Sequence, residues 1–199
     1  SGTTGFPKGA MITFANHLWG AMGSAYKLGV QANDRWLVCM PLFHVGGMAI
    51  LFRSCLYGTA IVLQRGFDEA AALHSLATEK ITLISLVPTM LKRLLDAGLN
   101  TDRAPDLRLI LLGGAAAPAS LLESTFDAKL PVAVTYGLTE TASQVATMRP
   151  TEARAKPGSS GRPLLFSEIK TVDENGTMTA ANQPGEVADG AQLVGIVGI

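Results

Sequence analysis

The sequence has few of the residue types that build metal sites and disulfide frameworks. It contains two cysteines and three histidines in 199 residues. They form no Cys/His cluster, so a zinc site is not expected. Cys39 and Cys55 stand among apolar residues, which predicts reduced thiols in a protein core and not a disulfide. We therefore expect a cytoplasmic protein.

Excess charge and long apolar runs are also missing. Lys+Arg and Asp+Glu number 16 each, so the formal net charge is zero and no basic stripe favours nucleic acid. No uninterrupted run of about 18 apolar residues predicts a membrane span, and no signal peptide is recognisable. Apolar residues make up 48% of the chain, enough for the core of one domain. The oligomeric state stays open, with a homodimer among the options.

Short apolar runs alternate with segments of helical periodicity along most of the chain. Strands are predicted at 36–40, 59–63, 81–88 and 107–112, and from 131 to the turn at Tyr136. Helices are predicted at 13–29, 47–57, 68–80, 88–98 and 118–129. This alternation predicts an α/β fold with a mainly parallel sheet flanked by helices.

The last part of the chain has a different pattern. A strand is predicted at 166–173, followed by a hairpin turn at Glu174-Asn175-Gly176 and another strand that starts at Pro184-Gly185-Glu186. We therefore divide the chain into an α/β core over 1–163 and a shorter β-rich segment over 164–199.

Residues 1–9, SGTTGFPKG, combine glycines, hydroxyls and one lysine, which is the composition of a loop that wraps phosphate groups. From the composition alone, a mobile surface turn or a frayed terminus is the favoured interpretation. A Walker-type NTPase is disfavoured, because Pro7 and Gly9 stand where that motif requires glycine and a serine or threonine.

Three further motifs each follow a predicted strand, where open α/β sheets bind ligands. They are PLFHVGG at 41–47, GGAAAP at 113–118 and YGLTET at 136–141. Taken singly, each is also compatible with an ordinary strand-end turn, in which His44 or Thr139 has a purely structural role.

Taken together, these motifs resemble the adenylate-forming superfamily, which includes the acyl-CoA and aryl-CoA synthetases. SGTTGFPKG resembles its phosphate loop, and P-x-F-H-x-x-G, Gly-Gly-Ala and Y-G-x-T-E follow in the family's order. Within the superfamily, PLFHVGGMAILFRSCLYG, SLVPTMLKRLL, RLILLGGAAAP and YGLTETASQVATM look closest to the 2-succinylbenzoate–CoA ligases of menaquinone biosynthesis. The resemblance covers essentially residues 1–187.

The resemblance implies a two-step reaction in which ATP and Mg²⁺ activate a carboxylic acid as an acyl-adenylate and coenzyme A then displaces AMP. It implies phosphate contacts from Ser1, Gly2, Thr3, Thr4, Gly5 and Lys8. It implies an adenine site at Gly113, Gly114, Ala115, Tyr136 and Gly137. Thr139 would contact the α-phosphate, Glu140 would hold Mg²⁺, and His44 would lie between the carboxylate site and the thiol tunnel. Lys8, His44 and Glu140 form the implied catalytic set.

Succinylbenzoate carries a second carboxylate that is not activated and that needs a donor or a cation in the acyl pocket. Ser143 and Gln144 are the first candidates, because they directly follow the Thr-Glu-Thr turn. Arg53 is the second, because a single arginine in an otherwise apolar helix needs a partner.

The family's preceding domain, ribose-binding aspartate, hinge and C-terminal domain with its adenylation lysine match nothing in these residues. We therefore expect a piece of a longer protein that cannot complete adenylation by itself. The alternatives are another aryl- or fatty-acyl-CoA synthetase and, in a different class, a non-catalytic nucleotide-binding fragment.

Overall fold

The structure, a computed structural model, describes residues 9–187. The helices of that part are α1 (Phe14–Leu28), α2 (Val45–Tyr57), α3 (Glu69–Thr78), α4 (Pro88–Asp96), α5 (Ala119–Asp127) and α6 (Pro150–Ala153). The strands are β1 (Arg35–Val38), β2 (Ala60–Leu63), β3 (Leu83–Leu86), β4 (Leu109–Leu112), β5 (Val132–Leu138), β6 (Ser143–Met148), β7 (Arg162–Pro163), β8 (Thr171–Val172) and β9 (Glu186–Val187).

A seven-stranded sheet in the order β2-β1-β3-β4-β5-β6-β7 forms the centre of the fold. The first five strands in this order pair in parallel, and β6 and β7 add antiparallel to the β5 edge. The expected α/β fold with a mainly parallel sheet is confirmed. Since the carboxyl ends of β1, β3, β4 and β5 meet at one edge, the turns that follow these strands are brought together.

Three of the predicted helices begin at residues whose chemistry favours a helix N-terminus. Thr13 caps α1, and its hydroxyl and the Asn16 side chain form a reciprocal capping box. Asp68 caps α3 by accepting a hydrogen bond from the backbone N–H of Ala71. Pro88 begins α4, where its missing N–H costs no helical hydrogen bond.

The two faces of the sheet bury separate groups of apolar side chains. On one face, Leu37, Ile84, Ile110 and Leu112 belong to the larger cluster, which also includes residues of α3, α4 and α5. On the other, Trp36, Val38, Leu83, Leu109, Leu111 and Ala133 pack with Ile50 of α2. The side chains of β3 and β4 are buried on both faces, which explains why β4 is a continuous apolar run and β3 is apolar except for Ser85.

Several local predictions were incomplete. Strand β6 was not predicted, and the strand predicted at 166–173 is reduced to Thr171–Val172. The turn predicted at Asn175-Gly176 is present, with the Asp173 N–H donating to the Thr177 carbonyl oxygen at 2.9 Å. Cys39 is buried as expected, whereas the prediction for Cys55 was wrong, because this thiol is exposed on α2. Within residues 9–187, no helix combines the length and apolar character that crossing a bilayer requires.

Candidate active site

A cavity of about 510 Å³ opens at the carboxyl ends of β1, β3, β4 and β5. Its size is within the range of sites that bind small molecules. It is lined by Met40, Pro41, His44, Val45, Gly46, Arg53, Ser85, Leu86, Val87, Met90, Leu111, Gly113, Gly114, Thr135, Gly137, Leu138, Thr139, Ser143 and Gln144. Three motifs far apart in the sequence, at 41–47, 113–118 and 136–141, therefore share one cavity wall.

His44 lies at the mouth of the cavity, at the N-cap of α2. Its side chain is exposed and forms no capping hydrogen bond, while its carbonyl oxygen accepts from the N–H groups of Gly47 and Met48. A Cβ at Gly47 would lie 2.4 Å from the Pro41 carbonyl oxygen. The glycine therefore lets the start of α2 fold tightly against residue 41, and this turn holds the imidazole at the rim.

The Gly113-Gly114 turn after β4 contributes both of its glycines to the cavity lining. A Cβ at Gly113 would lie 2.6 Å from the Thr135 side chain, so glycine permits close approach to β5. Gly114 has a φ of +81°, a conformation that favours glycine. Ala115, which was predicted with them, is exposed but is not among the residues that line the cavity.

The YGLTET motif forms the turn between β5 and β6. The Thr141 hydroxyl donates within this turn and accepts the Leu138 N–H at 2.9 Å, which fixes the reversal. Gly137 and Thr139 line the cavity, whereas Tyr136 and Glu140 do not. Glu140 is exposed in the turn itself, and Tyr136 is half-buried in β5.

The predicted phosphate-loop residues Ser1, Gly2, Thr3, Thr4, Gly5 and Lys8 lie outside the described residues. Their proposed role stays a prediction. Among residues 9–187 no three His, Cys, Asp or Glu side chains come together as a metal site. A Mg²⁺ ion that uses a single carboxylate and phosphate oxygens needs no such cluster.

Arg53 brings a buried positive charge to the cavity. Its side chain is 3% exposed, and its Nε has no hydrogen-bond partner among the described residues. No ion pair within residues 9–187 involves it. Burial lowers the pKa of this guanidinium, but the usual value is so high that the group stays charged at neutral pH. The Trp36 ring lies 5.7 Å from the guanidinium carbon and supplies a cation–π contact.

Ser143 and Gln144 begin β6 and reach the same cavity. Gln144 is buried, and its two amide atoms are already engaged by protein side chains. Its Oε1 accepts from the Ser24 hydroxyl at 3.2 Å, and its Nε2 donates to Thr147 Oγ1 at 2.8 Å. Ser143 is half-buried, with a φ of +110° that ends the turn.

Sequence reasoning missed two hydroxyl groups of the cavity wall, those of Ser85 and Thr135. Ser85 is 6% exposed, and its Oγ has no partner among the described residues. The available signal was a lone polar residue inside the apolar strand LISL. Thr135 occupies β5 one residue before the recognised motif, and no pattern in the sequence distinguishes it.

The family model described as AMP-binding enzyme matches residues 1–193 of this chain. The cavity, formed by turns at the carboxyl ends of parallel strands, has the architecture expected of a nucleotide-dependent enzyme. The chain belongs to the AMP-binding enzyme family.

Relatives within this family are similar over most of the chain. A 2-succinylbenzoate–CoA ligase of Bacillus licheniformis is 48% identical over 188 residues, which cover 94% of this chain and 38% of that protein. The o-succinylbenzoate CoA synthetase of Bacillus subtilis, solved in complex with the acyl-adenylate intermediate OSB-AMP, is 43% identical with a TM-score of 0.89. That alignment covers 94% of this chain and 38% of the solved chain.

The same Bacillus subtilis enzyme has been solved in complex with ATP and a magnesium ion, with 43% identity and a TM-score of 0.88. In that case 94% of this chain and 39% of the solved chain are covered. The chain described here thus spans about 38% of the length of the curated relatives that it matches.

Proposed function

We propose that the full-length protein containing this chain is an AMP-forming 2-succinylbenzoate–CoA ligase. One observation carries the proposal: residues of three family motifs line a single cavity into which the buried cation Arg53 also projects. The similarity to ligases named for this acid supports the same choice of substrate. We place the protein in the cytoplasm, where its free thiols would stay reduced.

In the proposed reaction, a carboxylate oxygen attacks the α-phosphorus of ATP and pyrophosphate leaves, which gives the acyl-adenylate. The thiolate sulfur of coenzyme A then attacks the acyl carbon, a thioester forms and AMP leaves. Such transfers depend mainly on positioning and on neutralising the charge of the phosphates. The site therefore needs donors and cations around the triphosphate more than it needs a nucleophilic side chain.

Within this reaction Ser1 to Gly5 and Lys8 would hold the outer phosphates, and Thr139 would contact the α-phosphate. Gly113, Gly114 and Ala115 with Tyr136 and Gly137 would form the adenine site. Glu140 would hold Mg²⁺, which neutralises phosphate charge when bound. His44, exposed at the rim, would separate the acid from the entering thiol.

The structure changes the order of the candidates for the second carboxylate. Arg53 becomes the first, because it supplies a full positive charge inside the cavity and its Nε lacks a partner within residues 9–187. Gln144 becomes a supporting donor, since one of its N–H bonds is already used by Thr147. A buried guanidinium is well suited to a carboxylate, to which it can donate two parallel hydrogen bonds.

We expect the purified full-length protein to release pyrophosphate and AMP when 2-succinylbenzoate, MgATP and coenzyme A are supplied together. Mass spectrometry should identify the 2-succinylbenzoyl-CoA thioester as the other product. Benzoate and a medium-chain fatty acid serve as competing substrates in the same assay. Faster turnover of either would favour another acyl-CoA synthetase. If no acid is turned over and an acyl-AMP mimic does not bind in calorimetry, the protein is not a ligase.

Replacing Arg53 with methionine is expected to raise the KM for 2-succinylbenzoate by about 10- to 100-fold, the worth of a hydrogen bond to a charged group. The KM for ATP should stay within about twofold of the parent value, because a twofold change corresponds to less free energy than one hydrogen bond contributes. The free energy of unfolding of Arg53→Met should not be lower than that of the parent. The variant removes a buried charge that has no carboxylate partner among the described residues. Steady-state kinetics of the two variants Arg53→Met and Arg53→Lys would measure this.

The matched control is Arg65→Met, which removes an exposed arginine that does not line the cavity. Two analogues that each keep one carboxylate, 4-oxo-4-phenylbutanoate and 2-butanoylbenzoate, identify which group is activated. The KM for the analogue that is turned over should not depend on Arg53. An unchanged KM for 2-succinylbenzoate in Arg53→Met would remove this residue from the acid site.

A further inference from the structure

A chain of four hydrogen-bonding side chains passes from α1 to the wall of the cavity. Ser24 of α1 contacts Gln144, Gln144 contacts Thr147, and Thr147 contacts Thr135 of β5 at 3.0 Å. Ser24, Gln144 and Thr147 are all less than 5% exposed, so bulk water does not compete for these groups. Two of the four residues, Gln144 and Thr135, also line the cavity.

The donor and the acceptor in each of these hydrogen bonds follow from the number of protons that each side chain carries. The Thr135 hydroxyl donates its single proton to the Ala146 carbonyl oxygen at 2.8 Å, because a carbonyl can only accept. Thr135 Oγ1 must therefore accept the proton of Thr147. Thr147 Oγ1, having donated its only proton, must accept from Gln144, and only the Nε2 atom of Gln144 can donate.

The orientation of the Gln144 amide is consequently fixed by the side chains around it. A rotation of the amide by half a turn would bring Oε1 against Thr147 Oγ1, two oxygens without a proton between them. At the other end, the Ser24 hydroxyl donates to Oε1 and uses one of its two lone pairs.

This polarity decides what Gln144 offers to a ligand. Nε2 carries two hydrogens, and the bond to Thr147 uses one of them. The second hydrogen is the donor that Gln144 has left for the cavity that it lines, while Oε1 keeps one lone pair beside the Ser24 contact. A cavity wall with Arg53 and this amide N–H presents donors to a ligand and favours acceptor or anionic groups over donors.

We propose that Ser24 and Thr147, which do not line the cavity, are positioning residues that hold Gln144 as a hydrogen-bond donor toward the second carboxylate of the acid. The proposal rests on the proposed function, since it assumes an acid with two carboxylates. Thr147 sets the polarity of the amide, and Ser24 secures its acceptor end. Together they make the selectivity for a dicarboxylic acid depend on residues that never touch it.

The test compares Thr147→Val, which keeps the shape but removes the hydroxyl, with Thr147→Ser, which keeps the hydroxyl. In the full-length protein, KM and kcat are measured for 2-succinylbenzoate and for whichever one-carboxylate analogue is turned over. Thr147→Val should lower the ratio of kcat/KM for the dicarboxylic acid to kcat/KM for the analogue by about tenfold. The change should lie in KM, because the variant loses a hydrogen bond to a charged group. Thr147→Ser should stay within about twofold of the parent.

A double-mutant cycle separates this role from a general loss of structure. If Thr147 acts through Gln144, then Thr147→Val should have little further effect on the preference in a Gln144→Met background. Should Thr147→Val fail to fold, Ser24→Ala carries the test, with the same expected direction and a smaller change. A preference unaltered in both single variants, in a parent that turns over 2-succinylbenzoate, would overturn the inference and leave the proposed function standing. A parent that does not accept this acid would refute both.

Discussion

Replacing Gly137 with alanine is expected to destabilise the protein by about 3 kcal/mol or more and to abolish activity. An ideal Cβ at this position would lie 1.8 Å from the Ser143 carbonyl oxygen and 2.6 Å from its carbon. Both are backbone atoms of β6, so no side-chain rotation can relieve the clash. The two strands would have to separate at the place where the turn residues meet the cavity. The shift of the urea or thermal unfolding midpoint measures the effect.

Gly20→Ala in α1 is the matched control for this substitution. A Cβ at Gly20 meets no atom of the described residues within 4 Å, and alanine is more favourable than glycine in a helix interior. This variant should be more stable than the parent by about 0.5–1 kcal/mol. A Gly137→Ala variant with normal stability would mean that β5 and β6 are not paired as described.

Arg108→Met is expected to destabilise the protein by about 3–5 kcal/mol at neutral pH, because it leaves the Asp34 carboxylate buried without its cation. Asp34 is 4% exposed and accepts from Arg108 Nε at 2.7 Å and from the Thr82 hydroxyl at 2.9 Å. Arg108 also donates to the carbonyl oxygens of Leu28 and Gly29, so it ties the end of α1 to the sheet. Urea unfolding at pH 7 measures the loss.

Asp34 also makes the stability of the folded protein depend on pH, and the direction of this dependence can be derived. Burial alone would raise the pKa of Asp34, but hydrogen bonds from Arg108, the Gln31 N–H and Thr82 outweigh it and hold this pKa below its usual range. The pair therefore contributes its full stability above the unfolded pKa of about 4, and the contribution is lost as the pH falls through the folded value. Asp34→Asn should remove this part of the acid dependence. A parent and an Asn variant that lose stability in parallel between pH 5 and pH 2 would contradict this assignment.

The main elements of the fold could be predicted from the sequence because their signals are local. Thr13 and Asp68 cap helices, Pro88 starts one, and β3 and β4 are apolar runs that only Ser85 interrupts. Strand β6 escaped prediction because it follows β5 after a four-residue turn and is buried at five consecutive positions, so it shows no alternation. Its identity as a strand depends on pairing with β5, which is a tertiary property.

The site was predictable only to the extent that motifs mark turns. Five residues of the motifs, His44, Gly113, Gly114, Gly137 and Thr139, line the cavity, because each lies just beyond or at the carboxyl end of a strand. Their roles in binding and catalysis stay predictions. The partners of Gln144 could not be found in this way, since Ser24 is 120 residues distant from it in the chain. In the described part of the chain, Ser85 Oγ and Arg53 Nε have no hydrogen-bond partner, and this too is a result of packing and not of any sequence pattern.

The tight reversal between β5 and β6 has a consequence for how this chain can vary. Leu138 pairs with Ser143 and Gly137 with Gln144, so the number of residues between the strands sets which side of β6 Gln144 occupies. One inserted residue, in a turn of unchanged length, would shift the register by one, send this amide to the opposite side and bring Ser143 opposite Gly137. The segment at 158–160, which lies between short elements away from the cavity lining, carries no such restriction. Length variation that keeps the substrate preference should therefore be tolerated at 158–160 and excluded at 139–142.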